Sequence, residues 1–130
     1  MWRSWVISLS CLAAVATVTR VLAADVESGK AVSLLCQACH SLKPGEKHIG
    51  PTLYGVLGRR SGSVPEFEYS PAMKSAGKTW NRKTLDAFLK GPATFIPGTK
   101  MPLAGVPDAT DRADLIAYLS QLGKSSSVQQ

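Results

Sequence analysis

The sequence predicts an all-α domain of three main helices joined by long irregular chain. Three observations lead there. Two late segments, "NRKTLDAFLKGP" and "PDATDRADLIAYLSQLG", place apolar residues at spacings of three and four between recognisable caps. An earlier segment, "DVESGKAVSLLC", is compatible with a third helix. Between them no alternating apolar–polar run persists long enough to make a sheet.

Taken in order, the chain opens on a segment that reads as a signal peptide, residues 1–23. Arg3 supplies a short basic start, Trp5 to Val18 is almost uncharged and apolar, and Val21-Leu22-Ala23 offers a peptidase site. The run is shorter than the roughly 18–20 apolar residues a membrane span needs, so a cleaved leader is expected rather than an uncleaved anchor. Cys11 falls inside this run and would be discarded with it. The expected domain is 24–124, followed by a disordered polar tail, 125–130. The full chain carries a formal charge of +6 at pH 7. Removal of Arg3 and Arg20 leaves a moderate positive excess, spread in ones and twos. Aromatic residues are few and no nucleic-acid motif accompanies the lysines. The charge therefore suits steering toward an acidic protein and excludes nucleic acid as the expected partner.

In the first helix, Asp25 to Leu35, Val32, Leu35 and Cys36 share one side, and Gly29 weakens the pattern. From Ser41 to Ser70, glycine and proline recur at Pro44, Gly45, Gly50, Pro51, Gly55, Gly58, Gly62 and Pro65. So long an irregular segment needs something other than backbone ladders to order it, the first hint of a large bound group. "SPAMKSAG" reads as a short helix packing Met73 on something apolar. The next helix has Asn81 as N-cap, Leu85, Phe88 and Leu89 on one face and Gly91-Pro92 as its stop. The last has Asp108 or Thr110 as cap, a stripe of Leu115, Tyr118, Leu119 and Leu122, and Gly123 at its end.

The chemistry sits in "CQACH", Cys36 to His40. A redox dithiol needs strands in an α/β frame, which this pattern lacks. A zinc site could count Cys36, Cys39, His40 and His48 as four ligands, but adjacent Cys39 and His40 are awkward to aim at one tetrahedral ion. The third reading is covalent haem attachment, for which C-x-x-C-H is the sequence signal. Two thiols add to the two vinyl groups on one porphyrin edge, and the following imidazole reaches the iron. A low-spin iron then needs a sixth ligand. His48 is only eight positions beyond His40, a short path round a porphyrin, and reads as a loop hydrogen-bonder. Met73 reads as core. Met101, in the proline-flanked loop "FIPGTKMPLAG", is the expected ligand.

With "GPTLYGVLGRRSG", "FEYSPAMKSAGKTW", "LKGPATFIPGTKM" and "RADLIAYL" following "CQACH", the chain resembles the class I c-type cytochromes, the soluble bacterial and mitochondrial cytochrome c group, from about Gly29 to Leu122. The resemblance implies a cytochrome c fold, with helices and long loops wrapped round one covalent haem c. It implies thioethers at Cys36 and Cys39, His40 and Met101 as iron ligands, and the Pro51 carbonyl accepting from the ligand imidazole. Arg59, Tyr69, Trp80 and Thr99 match positions that contact or shield the haem propionates. Lys100 and neighbouring lysines match a positive docking rim.

Three positions depart from the pattern. Val32 and Ser33 stand where an aromatic packs on the last helix, leaving that contact looser or carried by Leu34 or Leu35. Phe88 replaces a tyrosine near the axial sulfur, and Leu103 an aromatic near the haem edge.

The function implied is outer-sphere, one-electron transfer at an iron with no open position. Peroxidase chemistry would need a distal histidine–arginine pair, which is not evident, and a gas sensor would need an open iron. Expected partners are acidic-faced redox proteins: a quinol-oxidising complex, a terminal oxidase, a reaction centre or a periplasmic dehydrogenase. The expected protein is a periplasmic monomer with peripheral membrane contact at most.

Overall fold

A computed structural model describes residues 23–124. The expected leader, 1–23, therefore lies outside the described residues except for Ala23, and the expected tail, 125–130, lies wholly outside them. The described elements are α1 (Val26–Val32), α2 (Leu34–Gln37), α3 (Pro71–Ser75), α4 (Arg82–Lys90), α5 (Pro92–Phe95) and α6 (Ala109–Leu119). Among the described residues the only β pairing is an isolated antiparallel bridge between Arg60 and Thr79. No helix among them is long and apolar enough to cross a membrane.

The first helix is the one most altered from expectation. It is two pieces that pivot at Ser33, whose Oγ donates to the Lys30 carbonyl at 2.7 Å, a local bond that competes with a regular ladder. The chain stays helical in sense, because Gln37 N–H still reaches the Ser33 carbonyl and His40 N–H the Cys36 carbonyl. Asp25 caps α1 by accepting from Glu27 N–H and Ser28 Oγ, and its own N–H donates to Asp114 Oδ1 at 2.6 Å, tying the start of α1 to α6.

Gly29 proves to be the centre of that helix pair. A Cβ there would collide with the Asp114 carbonyl and stand 3.0 Å from Leu115 N, so the backbones meet where the side chain is missing. Leu34 and Leu35 do not take over the contact: each is 67% exposed. An exposed aliphatic pair at the α1–α2 junction replaces the expected interdigitation.

The later helices follow their sequence signals. Asn81 and Thr84 form a reciprocal capping box on α4, and Leu85, Phe88 and Leu89 are buried. Gly91 ends α4, but Pro92 is also the first residue of α5, a position where proline's fixed φ is compatible with helix. Asp108, not Thr110, caps α6 by accepting from Asp111 N–H at 2.9 Å. Leu115 and Leu119 are buried as expected; the helix ends at Leu119 and turns through Ser120 to reach Gly123. Met73 is buried on α3, with Ser70 Oγ accepting from its N–H.

One anchor has no sequence signature. Arg112 on α6 is buried; its Nε donates to Asp86 Oδ1 of α4 at 2.7 Å and its Nη1 to the carbonyls of Val106 and Pro107 at 2.9 and 2.8 Å. Three acceptors from two segments thus converge on one guanidinium. Arg112→Leu keeps the bulk but leaves buried carbonyls without a donor, and should lower unfolding stability by about 2–4 kcal/mol in a urea titration.

Candidate functional site

Residues 41–70 are ordered by scattered backbone bonds, such as Leu53 N–H to the Ser41 carbonyl and Gly58 N–H to the Trp80 carbonyl, and by side-chain hydrogen bonds. Thr52 Oγ1 donates to the Lys43 carbonyl at 2.6 Å, Ser41 Oγ to Glu46 Oε2 at 2.6 Å, and Ser61 Oγ accepts from Lys78 N–H at 3.1 Å. These loops, with α4 and α6, enclose a cavity of about 580 Å³. Its interior wall is apolar, built from Val56, Leu85, Phe88, Leu89, Leu115 and Leu119. All nine residues expected at the site line it: Cys36, Cys39, His40, Pro51, Arg59, Tyr69, Trp80, Thr99 and Met101.

Cys36 and Cys39 are free thiols on one short turn, with Cys39 N–H bonded to the Cys36 carbonyl at 3.1 Å. Burial pushes the Cys36 thiol up, helped by Cys39 beside it, so Cys36 prefers the neutral form. His40 Nδ1 lies 2.7 Å from the Pro51 carbonyl. A carbonyl only accepts, so Nδ1 carries the proton and Nε2 keeps the lone pair. Burial holds the imidazole below its ordinary pKa and the nearby Arg59 charge adds to this, against the Pro51 bond. The ring is therefore neutral, the form that ligates metal.

Gly50 is the residue sequence reasoning passed over as loop. A Cβ there would overlap the His40 ring, 2.6 Å from Nδ1, and Gly50 N–H donates to the Cys39 carbonyl at 2.8 Å. The loop thus lies directly on the imidazole. Its adjacency to Pro51 was the available signal, since two small or rigid residues together mark close backbone approach.

Arg59, Tyr69, Trp80 and Thr99 on the lining all carry hydrogen-bond donors. Arg59 gives Nη1 and Nη2 to the carbonyls of Tyr54 and Thr52 at 3.2 and 2.7 Å, which leaves other N–H groups of its fork uncommitted by these bonds. Tyr69 Oη accepts from Val64 N–H and Thr99 Oγ1 from Met101 N–H, so each keeps its own proton to give. Trp80, buried and tilted on Phe88 at 5.0 Å, carries a donor-only indole. An apolar chamber with two thiols, a neutral imidazole, a thioether and several donors fits a large flat apolar group bearing a metal and carboxylates. His48 is not on the lining; it is half exposed, 3.9 Å from Glu46.

The family profile described as cytochrome c matches residues 26–123. The chain is 48% identical over 98 residues to cytochrome c type-1 of Ascaris suum, covering 75% of this chain and 88% of that protein. It is 42% identical over 126 residues to cytochrome c2 of Blastochloris viridis, covering 96% and 98%. The solved structure of cytochrome cH from Methylobacterium extorquens superposes with a TM-score of 0.71 at 36% identity, over 75% of this chain and 98% of that one.

The chain belongs to the cytochrome c family. As a cytochrome c it carries covalently bound haem c, has the all-α fold of the family, and is an electron carrier rather than an enzyme. The cofactor that membership brings is a covalent haem c, rather than a dithiol switch or a zinc ion.

Proposed function

We propose that Cys36 and Cys39 hold the haem as thioethers and that His40 and Met101 ligate its iron from its two faces. The observation that supports this best is the 2.7 Å bond from His40 Nδ1 to the Pro51 carbonyl, because it leaves the Nε2 lone pair free to donate to a metal. Met73 and Met101 both line the cavity, but Met73 is buried in the core on α3 whereas Met101 is partly buried on a proline-flanked loop, which favours Met101. The haem supplies a one-electron ferric–ferrous couple. Around it, Arg59, Tyr69, Trp80 and Thr99 offer hydrogen bonds to the propionates, offsetting the cost of burying carboxylates. The apolar wall keeps water from the metal and disfavours the extra charge of the ferric state.

The cytochrome meets redox partners; we assign these to the acidic-faced class, drawn in by the positive excess of the chain. The candidates are a quinol-oxidising complex, a terminal oxidase, a reaction centre or a periplasmic dehydrogenase. Export by residues 1–23 places the working protein, 24–124 with a polar tail at 125–130, in the periplasm as a monomer.

Optical spectra of the exported protein, oxidised and reduced, with and without carbon monoxide, test the ligand set. A weak sulfur-to-ferric-iron band and no response to carbon monoxide are expected. A carbon monoxide shift at neutral pH would mean that Met101 does not close the iron.

A further inference from the structure

Asp114, on α6, is an acid that the haem site does not use, and it is only 6% exposed. Among the described residues its carboxylate has one hydrogen bond, from Asp25 N–H to Oδ1 at 2.6 Å, and no ion pair. A buried carboxylate held by one neutral donor is poorly compensated. The charges on the two crossing helices do not make up the deficit. Asp25 and Glu27 at the start of α1 and Asp111 one turn before Asp114 are acids themselves. The Asp25 carboxylate is already engaged by Glu27 N–H and Ser28 Oγ. Of the two cations on these helices, Arg112 is committed to Asp86 and two carbonyls, and Lys30 is exposed at the far end of α1.

The donor to Asp114 stands one residue from the expected end of the mature chain. Removal of the leader hydrolyses the Ala23–Ala24 peptide bond: the leader departs with the new carboxylate, and Ala24 keeps the new amine, which is protonated at neutral pH. Backbone nitrogens of adjacent residues are at most about 3.7 Å apart, so the Ala24 nitrogen lies within roughly 6.5 Å of Asp114 Oδ1. Opposite charges at that range favour each other's charged forms.

We infer that cleavage of the leader supplies the missing counter-charge: the Ala24 ammonium pairs with Asp114 and fastens the start of α1 to α6. Processing then stabilises the cytochrome as well as releasing it. The expected sign is unusual, because a positive charge at a helix N-terminus opposes the helix dipole and ordinarily weakens the helix. Asp114 reverses that sign here. The inference rests on the reading of residues 1–23 as a leader cut after Ala23.

The test compares the exported holoprotein with a variant carrying Gly-Ser between Ala23 and Ala24, which moves the ammonium about 7 Å along the chain. Each terminus is made with Asp114 and with Asp114→Asn, which keeps an acceptor for Asp25 N–H and removes the charge. In urea unfolding the insertion should lower the folding constant roughly threefold to thirtyfold beside Asp114. In Asp114→Asn it should leave the constant unchanged or raise it. The same loss in both backgrounds, or no loss beside Asp114, would overturn the pairing. NMR gives a reading that needs no substitution at Asp114. The Ala24 methyl resonance should follow the amine titration at a higher pH than the first residue of the extended chain, and equal titration would overturn the pairing. Because a carboxylate neighbour raises the amine's pKa, the stability gap between the two termini is full below that titration and lost as pH rises through it. A mass spectrum of the exported protein separates the two readings. A first residue other than Ala24 would overturn the cleavage site and the pairing together, whereas an Ala24 terminus without the expected stability difference would overturn the pairing alone.

Discussion

Gly29→Val should yield a protein that is severely destabilised or does not accumulate folded. The added side chain would enter the space held by the Asp114 carbonyl and the Leu115 amide, and both obstacles are backbone of a buried helix. Overpacking usually costs about 1–3 kcal/mol when side chains can yield, and more when they cannot. Against a total stability of roughly 5–15 kcal/mol, a loss of at least about 3 kcal/mol is expected in urea unfolding followed by circular dichroism. Lys30→Ala, on the exposed face of the same helix, should be nearly neutral. A Gly29→Val protein with the stability of the parent would mean that α1 and α6 do not cross as described.

The second large effect concerns Met101. In Met101→Ala the sulfur donor is lost while the backbone loop between Pro97 and Pro102 is retained. The reduction potential should fall by a substantial part of the roughly 0.8 V that axial ligands command, because thioether sulfur favours ferrous iron. Carbon monoxide should then bind the reduced protein at neutral pH. Gly50→Ala is the companion test on the other proposed ligand: the new methyl would press on the His40 ring, and disturbance of the imidazole environment should appear in the spectrum with Met101 intact. An unchanged potential in Met101→Ala would remove that residue from the ligand set.

Much of this molecule was legible because its signals are local. The caps at Asn81 and Asp108 and the apolar stripes of α4 and α6 depend on residues within a few positions of one another. "CQACH" is local in the same way: its two thiols and imidazole lie on a single turn, and all three line the cavity. Illegible features depend on distant partners. Gly29 weakens a helix when seen alone, and only the approach of α6, more than eighty positions on, makes it indispensable. Gly50 looks like one loop glycine among many until the His40 ring is found against it. The role of Arg112 arises from carbonyls of the preceding loop and a carboxylate of α4, acceptors that no periodicity reveals.

The interior wall of the cavity is also the hydrophobic core: Leu85, Phe88, Leu89, Leu115 and Leu119 belong to both. A chain that had not yet received its haem would therefore bury these side chains incompletely, and the long segment 41–70 would have little to close upon. Loading and folding become one event, and a chain that misses the first is exposed to proteases in the second. Quality control of this protein can thus be read as a clearance rate: in cells lacking the attachment machinery, the polypeptide should be degraded rather than stored.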